Sequence, residues 1–179
     1  MIKAAIPAVI LLAILIFFLV RLLRPKMTGQ LWLEAQEYYL ASMTDLAYST
    51  DDVVTLYAQG SIGDEDFLNY ISVFEAELSL MRAEYEQDLE NYPVEIGSHT
   101  YETKAGTDAV YSMYDLFAQL YQVCRKDCGD KDKLLYDYMA FQQEFALRLA
   151  DYAAARQLTD EELKEVIEEY RDEPEEGRT

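Results

Sequence analysis

Between Phe67 and Tyr92 the apolar residues are Phe67, Ile71, Phe74, Leu78, Met81, Tyr85, Leu89 and Tyr92. Their gaps are fours and threes, mostly in alternation. That spacing keeps one face of an α-helix turned to a neighbouring helix, whereas a half-buried strand would repeat every two residues. Three further rows share the period. Tyr39, Met43, Leu46, Val53 and Tyr57 form one, with the polar Thr50 at the skipped position. Val110, Met113, Phe117, Leu120 and Cys124 form another, and Leu134, Tyr138, Phe141, Phe145, Leu149 and Tyr152 the last. Long amphipathic helices joined by short breaks bury their stripes against one another. The rows therefore predict an all-α fold, an up-down-up-down antiparallel four-helix bundle. Val94-Glu95-Ile96 is the one stretch that reads as extended, and it has no pairing partner.

The breaks carry helix-end chemistry. Gly60-Ser61-Ile62-Gly63 separates the first two rows, and Asp64 or Ser61 is expected to cap the second helix. Pro93 stops that helix. Gly106 or Thr107 is expected to open the third, which leaves a long connection from Pro93 to Gly106. Cys128-Gly129-Asp130 forms a turn with Asp130 as the N-cap. Thr159 and Glu162 spell a capping box, so a short acidic helix is expected over residues 159–171. Its apolar stripe is Leu163, Val166, Ile167 and Tyr170. Residues 172–179 are polar, contain Pro174, and are expected to be disordered.

Ahead of the bundle, residues 4–20 hold no charge. Leu22 and Leu23 extend the run to residue 23 if Arg21 reaches the interface. That length suits a bilayer span. No small-x-small site follows, so the run reads as a permanent single-pass anchor rather than a cleaved signal. Arg21, Arg24 and Lys26 flank its far side against Lys3 on the near side. The positive-inside rule then favours a cytoplasmic C-terminal domain at the cell membrane over an extracytoplasmic one, the arrangement that a single N-terminal lysine also suits. The expected organisation is an anchor with a basic flank over 1–26, an acidic bundle over 27–158, the short helix over 159–171, and the tail over 172–179.

Charge narrows the partners. The chain carries −19 overall, and its first 26 residues hold four positive and no negative charges, so the rest stands at −23. Phosphate backbones need Lys and Arg, so nucleic acid is excluded as a partner. An acidic surface steers basic ones. The expected contacts are the lipid bilayer through residues 4–23 and a protein with a basic surface.

Candidate chemistry is sparse. Two cysteines and one histidine build neither a disulfide framework nor a His-based metal cluster. Cys124 and Cys128 lie four apart, on one face of a helix, beside Arg125 and Lys126, which lower a thiol pKa. They are the candidate redox pair, although Cys124 also continues the core row as a small apolar residue. His99 sits in the long connection near Glu95 and Glu102, and loop histidines are usually solvated. Asp64-Glu65-Asp66 lacks the glycine and distal glutamate of a calcium loop and reads as the acidic first turn of a helix. The fifteen tyrosines read as an amphipathic boundary around the core, with a tyrosine-rich partner groove as the competing reading.

The sequence therefore points to a membrane-anchored, non-catalytic module for protein–protein interaction, without a cofactor: a scaffold, adaptor or inhibitor. Leu163, Val166, Ile167 and Tyr170 are its candidate partner-binding stripe. The alternatives are a thiol sensor or redox relay through Cys124 and Cys128, and an enzyme whose site is assembled from scattered carboxylates.

Overall fold

A computed structural model describes residues 29–91 and 100–171. The apolar run with its basic flank, His99, Val94-Glu95-Ile96 and the tail 172–179 lie outside the described residues. The described residues form five helices: α1 (Gly29–Ala58), α2 (Asp64–Asn91), α3 (Thr100–Lys126), α4 (Lys131–Arg156) and α5 (Asp160–Arg171). Among the described residues there is no strand, and no helix is long and apolar enough to cross a membrane.

Side-chain pairs give the helix directions. Tyr39 near the start of α1 meets Asp88 near the end of α2, and Tyr57 at the end of α1 meets Asp64 at the start of α2. Arg82 pairs with Asp115 and Arg125 with Glu75, so α2 and α3 are antiparallel. Asp51–Gln142 and Glu37–Arg156 set α4 antiparallel to α1. Gln36–Thr107 and Thr50–Tyr121 set α1 parallel to α3. α1 touches all four other helices, including α5.

The rows with threes and fours form the interior. Phe67, Ile71, Phe74, Leu78, Met81 and Tyr85 are buried on α2, and all five members of the α3 row are buried. Phe117 sits near the centre, its ring 5.1 Å from Phe141 and 5.4 Å from Phe145, both edge-on. Edge-to-face geometry adds to area burial because the positive ring edge meets the negative ring face. Thr50, the polar interruption in the α1 row, is fully buried and donates to the Leu46 carbonyl at 2.7 Å.

Several local expectations hold. Asp130 caps α4 by accepting from the Lys133 amide at 3.2 Å. Thr159 and Glu162 make the reciprocal capping box: the Thr159 amide donates to Glu162 at 2.7 Å, and the Glu162 amide to Thr159 Oγ1 at 3.2 Å. One terminus has no glycine to announce it. α4 ends at Gln157, which takes the left-handed conformation (φ 56°), with the Leu158 amide bonded to the Ala153 carbonyl at 2.9 Å. That six-to-one closure satisfies carbonyls the helix end would otherwise orphan.

Other expectations are corrected. α3 opens at Thr100, so Gly106 and Thr107 lie inside it rather than at its start. Gly106 is there for space: a Cβ on it would fall 2.2 Å from Gln36 Oε1. Asp64 is the first residue of α2 rather than its cap. The Gly63 carbonyl accepts the first helical bond, from Phe67, and the Asp64 carboxylate is engaged by Tyr57 instead. The tyrosines do not simply ring the core. Tyr57, Tyr85, Tyr114, Tyr121 and Tyr152 are completely buried within it.

Candidate functional site

At one end of the bundle the α1–α2 and α3–α4 turns meet around Tyr57. Its hydroxyl accepts from the Gly129 amide at 2.8 Å and donates to Asp64 at 2.8 Å. Its ring stacks on Phe67 at 4.2 Å, with Lys131 Nζ 4.8 Å from the ring centroid on a cation–π contact. Burial, and then the Asp64 carboxylate, push the Tyr57 hydroxyl up to about 12, so it stays protonated and keeps donating. Gly60 and Gly129 supply the positive φ that each turn needs (76° and 96°). The arrangement is a fastener between two loops.

Both cysteines lie near it, and neither is in a disulfide. Cys124 is fully buried, and burial pushes its thiol up to about 12, away from the thiolate that redox chemistry requires. Arg125 does not activate it, because its guanidinium pairs with Glu75 across the α2–α3 face. Cys128 is half-buried, with Sγ 3.8 Å from the Tyr57 hydroxyl.

A second polar layer crosses the interior toward the start of α1. Gln36, completely buried, donates from Nε2 to Thr107 Oγ1 at 3.0 Å and lies against Gly106. The Tyr85 hydroxyl lies beside this layer, and burial raises its pKa. Tyr39 donates to Asp88 at 2.8 Å. Beside them Arg156 bridges the Tyr152 hydroxyl and Glu37, at 2.9 and 2.8 Å, and closes the last turn of α4 onto α1. These groups are aimed at each other and fix helix register. Among the described residues no three His, Cys, Asp or Glu side chains form a grouping able to hold a metal.

The surface offers more. A groove of about 230 Å³ runs between α1 and α4 over Phe141, Phe145 and Leu149, with Tyr48 on one rim. On the rim Gln142 donates to Asp51 at 2.9 Å. The volume lies below the roughly 300–1,000 Å³ of small-molecule sites, and the floor is apolar. Leu163 and Ile167 of the C-terminal stripe are partly buried against the core. Val166 is half-buried, and the side chain of Tyr170 lies outside the described residues.

Sequence reasoning missed the outward faces of α2 and α4. Tyr70, Val73 and Leu80 stand exposed on the first, and Tyr136, Met139 and Leu147 on the second. Their signal is a second helical row on a segment whose first row already accounts for the core. No protein-family model, curated protein or solved structure matches this chain.

Proposed function

We propose that the chain is a membrane-anchored, non-catalytic helical module that binds another protein, as a scaffold, adaptor or inhibitor. In this reading residues 4–23 span the bilayer once and the acidic bundle stands on its cytoplasmic side. α1 follows the basic flank almost directly, so its first turn lies nearest the bilayer.

The observation that supports the reading is a surplus of apolar surface. Single exposed apolar residues are ordinary, but here they recur along α2 and α4, whose core-facing rows are already buried. A surface helix of an independent bundle needs only one stripe. The groove over Phe141 and Phe145 adds a concave anchor site of the kind that takes aromatic or aliphatic hot-spot residues.

The test places a photo-crosslinking residue at Tyr48, Leu80 or Leu147 of the full-length chain in native membranes, with the exposed Asp108 as control. The expected result is a discrete protein adduct from at least one of the first three positions and none from Asp108. Absence of adducts at all three sinks the proposal.

A further inference from the structure

We infer that the outward face of α2 docks an amphipathic helix of a partner whose apolar stripe is flanked by Lys and Arg; this rests on the binding reading above and names its partner's chemistry. α2 carries two rows. The core row is buried. On the opposite face Asn69, Val73, Ala76, Leu80, Ala83 and Gln87 recur at gaps of four and three, and all are exposed. Val73 and Leu80 are each 61% exposed. This is the spacing of a helix–helix seam, about 27 Å long at 1.5 Å per residue. Ala76 and Ala83 keep the ridge low, which lets a second helix axis come close.

The flanks of the row define the occupant. On the side facing α3, Glu75 and Glu86 are paired with Arg125 and Arg82. Ser72 and Ser79 turn their hydroxyls onto their own helix, donating to the Leu68 and Glu75 carbonyls at 2.8 and 2.7 Å. The other flank holds Tyr70, Glu77 and Glu84. Among the described residues neither Glu77 nor Glu84 is in an ion pair. α2 has nine acidic residues and a single basic one, Arg82, which is turned toward Asp115. The outward row thus presents apolar knobs beside unneutralised carboxylates.

A second copy of the chain is a poor occupant. Antiparallel pairing of two α2 faces would set Glu77 and Glu84 against their counterparts, and like charges across a seam destabilise it. The outward row of α4 offers no remedy, because Lys133 is held by Asp127, and Arg148 by Glu144 and Asp151. With the cations of α4 engaged in this way, a basic helix of a different protein is the better-matched occupant.

The start of the row gives one further contact. A shallow hollow of about 430 Å³ is lined by Ile62, Asp66, Asn69, Tyr70 and Val73. Ile62 and Val73 suit the methylene stem of a Lys or Arg, Asp66 its charge, and the Tyr70 ring offers a π face. A partner helix seated on Val73 and Leu80 and ending in a basic residue fills both features together.

The experiment uses the full chain in detergent micelles and three designed helical peptides long enough to cover the row. One has a Leu/Ala row flanked by Lys, one the same row flanked by Glu, and one the Lys composition scrambled so that no row forms. Binding is read by fluorescence anisotropy at low and physiological salt. The Lys-flanked peptide is expected to bind about tenfold or more tighter than either other peptide, and more weakly as salt rises. Leu80→Glu should remove the preference over the scrambled peptide and Leu147→Glu on α4 should not, with helicity unchanged in both because each side chain is exposed. The double variant Glu77→Lys/Glu84→Lys should turn the preference toward the Glu-flanked peptide. Equal binding of the Lys-flanked and scrambled peptides overturns the inference, as does indifference to Leu80→Glu. A crosslink from Leu80 to a second copy of the chain also overturns it. Adducts at Tyr48 or Leu147 without peptide selectivity on α2 reject this face and keep the general binding role.

Discussion

Replacing Gly106 by alanine sets two effects of opposite sign against each other. In an exposed helix interior the change would stabilise by about 1 kcal/mol, because glycine loses more backbone entropy on folding. Here the added methyl carbon would lie 2.2 Å from Gln36 Oε1, 2.9 Å from its Cδ and 3.2 Å from its Nε2. Glutamine is flexible, but Gln36 is completely buried and its amide is held by Thr107 at 3.0 Å, so it has little room to retreat. Overpacking costs about 1–3 kcal/mol, and displacing a buried amide from its bond costs a similar amount. The net expectation is destabilisation by about 2–3 kcal/mol, or a fall in Tm of roughly 5–10 °C for a domain of this size. Thermal unfolding of the full chain in micelles, followed by circular dichroism, measures it. A double-mutant cycle isolates the contact: with Gln36→Ala already present, Gly106→Ala should become neutral or stabilising. A Tm for Gly106→Ala equal to or above that of the parent would refute the argument and leave helix propensity in control.

Tyr57→Phe keeps the stack on Phe67 but strands the Gly129 amide and removes the bond to Asp64. The denaturation midpoint should fall by the equivalent of about 1–3 kcal/mol with an unchanged m-value, and an unchanged midpoint would show that the two turns are held by other contacts. Alkylation of the native chain at mildly alkaline pH should label Cys128 well before Cys124, whose thiol is buried and pushed up to about 12; equal rates by mass spectrometry would contradict that environment. The Thr159 amide and hydroxyl hold the Glu162 carboxyl below its usual range. A depressed carboxyl stabilises the fold above its unfolded pKa, and the effect is lost as pH falls through the folded pKa. Amide exchange in α5 should therefore quicken, relative to α4, in acid below the ordinary glutamate range, and Glu162→Gln should abolish that pH dependence.

The share of this protein legible in its sequence is the share set within a few residues of chain. Helical period identified the rows that become the interior, from Phe67 to Tyr85 and from Val110 to Cys124, because a helix carries one apolar stripe through hydrogen bonds that reach only four residues. Asp130 and the Thr159–Glu162 box were legible for the same reason: a cap is a contact across three positions. Tertiary structure decided what depends on partners far along the chain. Gly106 reads as a helix start, yet it lies inside α3 to admit the Gln36 amide, about seventy residues away along the chain. Asp64 reads as a cap, yet it takes the hydroxyl of Tyr57, whose other bond reaches Gly129. Beside the inward row of α2, its outward row is also present in the sequence, as a thinner pattern of Val73, Leu80 and two alanines. Which of the two is covered depends on how the neighbouring helices bury area together, and no local interaction encodes that.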